Sequence, residues 1–353
     1  CWTRQPASSV PLNAKRRVSK RPVAELYMSD TEFDIIRRYF TRQDSNRGDV
    51  VTGIGDDAAL LRVPAGLELV VCMDTLVDGV HFPGGTPATA IGHKALAVNL
   101  SDLAAMGAEP AWATLSLTMP ESDPDWLAAF SRGFFELADR YQVQLVGGDT
   151  TQGPLAVTVQ AHGFVPAGQA LRRQGAQAGD HIYVTGTLGD AGLALQLPGA
   201  TEPGLQQKLD YPEARLAAGQ ALRGIASAAI DISDGLLADL GHLLENNQLG
   251  AALSIEHLPR SAAFTSAVTR CGADAGELFH ALPLSAGDDY ELCFTVPEAL
   301  LPQLEAVQVQ FACACTRIGM VEKKAGIRCY ATGGKKYEPA SDGYRHFGVS
   351  QYD

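Results

Sequence analysis

The sequence predicts a protein of two domains in which strands and helices alternate. Three observations predict it. The chain has 353 residues, long for a single hydrophobic core. Short apolar runs of strand length are interleaved with longer runs of helical spacing. Composition then shifts at Pro166-Ala167-Gly168-Gln169-Ala170, which sets a boundary between residues 28–167 and 168–353.

Taken in order, residues 1–27 stand apart. Lys15, Arg16, Arg17, Lys20 and Arg21 make them basic without a hydrophobic signal core, so a disordered leader or tag is expected there. Ser29 or Asp30 is expected to cap a helix containing Phe33, Ile35, Ile36 and Phe40. Leu67 to Met73 reads as a buried strand that ends at Asp74, followed by a loop with His81. Ala90 to Ala105 has helical spacing and Gly107 stops it, which leaves Asp102 near the C-terminal end of an apolar helix. The macrodipole disfavours an anion there, so a metal, a cationic partner or partial exposure must account for it. Trp112 to Met119 is a strand, and a helix from about Asp125 to Tyr141 follows, capped by Ser122 or Asp123. The strand Val143 to Val146 delivers Gly147-Gly148-Asp149 at its end, and Leu155 to Val165 is a strand carrying His162.

Beyond the boundary, the strand His181 to Val184 runs into Thr185-Gly186-Thr187-Leu188-Gly189-Asp190-Ala191-Gly192. This stretch is either a phosphate cradle or a tight strand-to-helix connection. Ile230-Asp231-Ile232-Ser233-Asp234-Gly235 leads into an apolar helix, Leu236 to Leu244. Its two aspartates lie three residues apart around a turn, and one of them could cap the helix. Ala286-Gly287-Asp288-Asp289-Tyr290-Glu291 precedes the strand Leu292 to Val296.

Charge and cysteines limit the function. The formal net charge of −12 argues against a nucleic-acid or anionic-membrane surface. No apolar run is long enough to span a bilayer. The seven cysteines include no C-x-x-C, and Cys293 lies in an apolar strand, which fits buried thiols in a reducing cytoplasm. Cys313 and Cys315 alternate as strand residues do for packing. Walker A lysine and kinase H-R-D motifs are both absent.

What recurs is acid at loop ends. Gly53-Ile54-Gly55-Asp56-Asp57-Ala58-Ala59 sets two adjacent carboxylates in apolar chain, and further acids follow at Asp74, Asp102, Asp149, Asp231 and Asp234. Clustered carboxylates repel unless a cation sits among them, and oxygen ligands select a hard one such as magnesium. A carboxylate cage holding several magnesium ions around polyphosphate would resolve the conflict between an acidic protein and an anionic ligand. An acceptor that is itself a phosphate is ionised near neutral pH, its second pKa being about 6, and needs no general base.

These residues resemble a known family. The glycine–aspartate motif, Asp74-Thr75-Leu76-Val77, the block Lys94 to Gly107, Gly147 to Thr151, Ile230 to Gly235, Asp289 to Leu292 and the tail Gly343-Tyr344-Arg345-His346-Phe347 together resemble bacterial thiamine-monophosphate kinases. The carboxylate motifs alone resemble the wider aminoimidazole-ribotide-synthetase-like superfamily. The resemblance implies an α+β fold. An N-terminal mixed or antiparallel sheet with helices would pair across a homodimer, with ATP near the interface, and the C-terminal domain would be an α/β sandwich. It implies γ-phosphoryl transfer from ATP to thiamine monophosphate. By position, Asp57, Asp74, Asp102, Asp149, Asp231 and Asp234 match magnesium ligands, with Cys72 and Met73 beside them. Gly148, Asp149, Arg173 and Ser233 match ATP contacts, and Asp149 and Asp234 carry the transfer. His81, Asp288 and Tyr344 match thiamine-phosphate contacts. Asp56 is expected to be a structural neighbour of Asp57.

Two departures stand out. Relatives commonly have Ser-Thr where this chain has Cys72-Met73, and Gly-Gly-Glu-Asp-Tyr where it has Ala286-Gly287-Asp288-Asp289-Tyr290. The alternatives are another ATP-dependent synthetase of the superfamily, of selenophosphate or aminoimidazole-ribotide type, or a non-catalytic nucleotide-binding protein. Presence of all six carboxylates argues against the last.

Overall fold

The computed structural model describes residues 31–42, 47–197, 202–245, 247–272 and 275–345. The leader, Ser29, Asp30, His346 and Phe347 lie outside the described residues.

The first helix, α1 (Glu32–Ile35), widens into a π turn over Ile36–Phe40. Thr31 caps it. Its hydroxyl accepts the Asp34 amide, and the Asp34 carboxylate takes the Thr31 amide in return, a reciprocal capping box. β1 (Val50–Thr52) and β2 (Leu60–Leu61) then pair antiparallel on either side of the glycine–aspartate loop.

The first large sheet comes from residues before the boundary. β3 (Leu67–Val77), β4 (Glu109–Met119), β5 (Gln144–Gln152) and β6 (Ala156–Pro166) line up in the order β3-β6-β4-β5. Only the β4–β5 pair is parallel. Two aspartates are placed differently from expectation. Asp74 and Asp149 sit inside β3 and β5, because both strands run on past the predicted ends through Thr-rich, β-forming residues.

Two helices cross one face of this sheet. α2 (Ala88–Ala105) and α3 (Pro124–Arg140, capped by Asp123) approach to backbone contact. A methyl group on Gly92 would lie 2.1 Å from the Phe130 carbonyl oxygen, and one on Gly133 would lie 1.9 Å from that of Thr89. Leu96, Leu100 and Leu103 of α2 are fully buried, each contributing about 1.5–3 kcal/mol of apolar burial.

Residues after the boundary build a seven-stranded mixed sheet. Its strands are β7 (His181–Thr185), β8 (Ala228–Ile232), β9 (Gly250–Ser254), β10 (Glu291–Val296), β11 (Cys315–Glu322), β12 (Gly326–Tyr330) and β13 (Lys336–Tyr337), in the order β13-β12-β9-β11-β7-β10-β8. Helices α4 (Asp190–Gln196), α5 (Pro203–Asp210), α6 (Leu216–Ala221), α7 (Leu236–Glu245), α8 (Ala262–Thr269), α9 (Ala275–Ser285) and α10 (Leu301–Val307) accompany it. One continuous hydrophobic cluster joins Leu96 and Leu100 of α2 to Leu292 and Phe294 of β10, so the two sheets share a core through α2.

The helix crossing gives a direct test. Gly133→Ala should lower stability by about 1–3 kcal/mol in urea denaturation, despite alanine's better helix propensity, because the new methyl has no room. A neutral or stabilising result would show that the α2–α3 contact relaxes freely.

Candidate active site

Among the described residues, two cavities hold the residues singled out in the sequence. The first, about 550 Å³, is lined by Asp74 of β3, Asp102 of α2, Asp231 at the end of β8, Ser233 and Asp234 of the following loop, and His81, Asp288 and Tyr344. Met73 lines it too. The second is lined by Asp56, Asp57, Gly148 and Asp149, together with Phe33, Arg37 and Phe40 of the first helix and its π turn. A single chain therefore divides the six carboxylates, four on one cavity and two on the other. Among the described residues no group of three or more His, Cys, Asp or Glu side chains is gathered closely enough to hold a metal ion by itself.

Cys72 and Arg173 line neither cavity. Strand alternation turns Cys72 inward, where its thiol lies 3.3 Å from the Asn99 carbonyl, while Met73 is 61% exposed. Burial, then the charges of Asp102 and Asp74, push that thiol far above its ordinary range. Arg173 is exposed, yet its positive charge reaches Asp102 and Asp231 and eases both. In the second cavity Asp56 accepts the Asp57 amide at 2.9 Å, in keeping with a structural neighbour. Gly148 is required by β4, since a methyl there would lie 1.8 Å from the Leu115 carbonyl oxygen. The Thr185–Gly192 loop lines neither cavity and enters α4 through Gly189 at φ 87°, which makes it a tight connection.

Electrostatics in the first cavity run uphill. Burial pushes Asp102 well above the usual carboxylate range, and the neighbouring charges of Asp231 and Asp74 add to it. Asp231, fully enclosed, is raised by its own burial and by Asp74, although the buried Ser101 hydroxyl donates to it at 2.8 Å. Asp74 is raised by burial and by Asp234. Packing alone does not hold four acids together in this way; the fold forces them there.

The device that does so escaped the sequence reading. Neither Asp231 nor Asp234 caps α7. Asp239, one turn into that helix, folds back so that a single carboxylate oxygen accepts the amides of Ser233, Asp234 and Gly235 at 3.0, 3.0 and 3.1 Å. Burial still outweighs those bonds and raises its carboxyl to about 7, with the charges of Asp231 and Asp234 contributing. On the opposite wall, Asp288 and Tyr290 adopt left-handed backbone with φ of 68° and 51°, a strain of about 1–3 kcal/mol each. Their amides are tied to the Ser233 and Ile232 carbonyls at 2.9 and 2.8 Å. The half-buried Asp289 accepts the Gly189 amide at 2.9 Å, and Glu291 is gripped by Arg215 through two hydrogen bonds at 2.6 and 2.5 Å. The Tyr344 amide donates to the Asp234 carbonyl at 2.9 Å, which brings the tail to the same rim. Val77 donates to His81 Nδ1 at 3.0 Å, so the proton of the neutral ring is on Nε2.

Residues 55–165, in the N-terminal part of the chain, match the family described as AIR synthase related protein, N-terminal domain. Fold and acidic cavity thus define a member of the AIR-synthase-related superfamily. The thiamine-monophosphate kinase of Salmonella typhimurium (strain LT2) is 48% identical over 328 residues, covering 91% of this chain and 99% of that protein. The crystal structure of thiamine-monophosphate kinase from Stenotrophomonas maltophilia K279a matches with a TM-score of 0.75 at 44% identity, covering 86% of this chain and 96% of that one. AaThiL complexed with AMPPCP and TMP matches with a TM-score of 0.70 at 32% identity, over 83% and 92% of the two chains. The chain belongs to the thiamine-monophosphate kinase family.

The raised acids set a pH dependence. Unfolded, these carboxyls titrate near about 4, and folded they titrate higher, so between those values the folded protein binds more protons. Stability therefore falls as pH rises through that window. With a chelator present, the melting temperature should drop from about pH 5 to about pH 8, and Asp102→Asn should flatten the drop. A melting temperature that climbs over that range would contradict the desolvation of these groups.

Proposed function

We propose that this chain transfers the γ-phosphoryl group of ATP directly to thiamine monophosphate, yielding thiamine diphosphate and ADP. One observation carries the reading: Asp74, Asp102, Asp231 and Asp234 share a cavity with His81, Asp288 and Tyr344 in a chain 48% identical to a thiamine-monophosphate kinase. The acids lie at the phosphate end, with Asp234 and Asp149 bearing on the transfer. His81, Asp288 and the Tyr344 ring form the acceptor end, the ring offering a face for the heterocycle. Gly148, Asp149, Ser233 and Arg173 serve ATP, Arg173 from outside the cavity wall.

Magnesium fits this donor set. The ligands are hard oxygens, and their burial and mutual repulsion call for positive charge. An all-protein cage is unnecessary, because magnesium is commonly held by one or two carboxylates plus phosphate oxygens and water. Asp57, Asp74, Asp102, Asp149, Asp231 and Asp234 would hold the ions. Cys72 and Met73 would contact an ion through backbone carbonyls or not at all, since thiols and thioethers are poor magnesium ligands. Bound magnesium neutralises charge on the transferring phosphoryl group, while the protein supplies position.

The working unit in this reading is a homodimer in the cytoplasm, and residues 28–167 and 168–353 act as its two domains. β3 is an edge strand, and its Leu69, Val71 and Met73 are 42%, 49% and 61% exposed on one face. A second copy seated there would border the acidic cavity, whose rim includes Met73 and Thr75. No helix among the described residues is long and apolar enough to cross a membrane.

Incubation with ATP, magnesium and thiamine monophosphate should give thiamine diphosphate and ADP. Asp149→Asn should abolish turnover with the melting temperature nearly unchanged, and ADP release that depends on some other acceptor would sink the assignment. Sedimentation tests the pairing. The wild type should run as a dimer and Val71→Asp as a monomer, whereas a wild-type monomer at micromolar concentration would rule the pairing out.

A further inference from the structure

Lys94 belongs to none of the residue sets assigned above. It sits on α2 with its side chain 4% exposed and lines neither cavity. Its ammonium lies 3.0 Å from Asp288 Oδ1 and donates to the His81 carbonyl oxygen at 3.3 Å. These two residues, far apart in sequence, form neighbouring parts of one cavity wall, and Lys94 stands behind both. The Tyr290 hydroxyl donates to the same Oδ1 at 2.9 Å. Oδ1 is thereby held twice, and among the described residues no hydrogen bond falls on Oδ2.

Burying an ammonium is costly, and a Met or Leu of similar volume would fill the space without that cost. The charge is therefore expected to act on what it touches. We propose that Lys94 is a positioning residue for the phosphoryl acceptor. It pins Asp288 by one carboxylate oxygen, leaves the other for the ligand, and ties the His81 backbone to the same point. It also bears on the shorter acid at position 288, since an aspartate tethered in this way presents its second oxygen from a fixed place. This inference rests on the assignment of His81 and Asp288 to the thiamine-monophosphate end.

The test is steady-state kinetics of the full chain with each substrate varied. Lys94→Met should raise KM for thiamine monophosphate roughly tenfold and leave KM for ATP within roughly twofold. Lys94→Gln keeps a donor for the His81 carbonyl but not the charge; it should show the same split and serves where Lys94→Met does not fold. Because Lys94 acts largely through Asp288, adding Lys94→Met to Asp288→Asn should raise KM for thiamine monophosphate by clearly less than the product of the two single effects. An unchanged KM, equal rises for both substrates, or multiplied effects in the double variant would overturn the proposal. So would failure of all the Lys94 variants to fold, which would assign the lysine to the core. If the wild type neither binds nor phosphorylates thiamine monophosphate, the functional assignment falls and this proposal with it. If the wild type is active and the Lys94 variants match it, this proposal alone falls.

Discussion

The structure depends on one helix that has no outside. α2 is buried along almost its whole length, against α3 on one flank, α6 on another, and strands of both sheets elsewhere. Glycine makes this possible: Gly92 and Gly133 meet the facing helix backbone, and a methyl on Gly219 of α6 would lie 2.0 Å from the Ala104 carbonyl. Side chains wider than these would separate the layers that frame the acidic cavity. A helix so enclosed has no solvent face for polar groups. Three of those it keeps serve the cavity: Lys94 holds the Asp288 wall, Ser101 supports Asp231, and Asp102 lines the cavity itself.

An acidic site of this kind leans on the groups around it. Repulsion and desolvation work against Asp74, Asp102 and Asp231, and other buried groups offset them. Asp239 holds three consecutive amides, Ser101 supports Asp231, and the Arg215–Glu291 pair anchors the strand that follows the strained Asp288–Tyr290 turn. The carboxylates are thus presented on a hydrogen-bonded frame, the kind of fixed arrangement that lowers the cost of ordering on binding.

Most of this was legible in the sequence, and the exceptions have physical causes. Periodicity located α2, α3 and the principal strands, and the Gly-Asp clusters marked the acids. Strand ends were misplaced at Asp74 and Asp149 because β-forming threonines continue the pairing past a carboxylate. Asp239 was missed because an acid inside a helical run reads as a solvent-facing residue, and only the fold shows it turned back on the loop. Lys94 was hidden for the same reason, a lysine in an apolar helix ordinarily extending its charge to water. The separation of Asp57 and Asp149 from the other acids lies beyond any linear motif, since it depends on which strand faces which cavity.

The bond between the Tyr344 amide and the Asp234 carbonyl has a consequence for biosynthesis. A growing chain orders its earlier portions first, and the acids on β3 and α2 emerge from the ribosome long before the tail does. Until Tyr344 has been made, the cavity lacks one wall and the Asp234 loop lacks one tether. Nascent or interrupted chains would then carry the acids without the complete cavity, and its final wall would arrive with the segment that carries Tyr344.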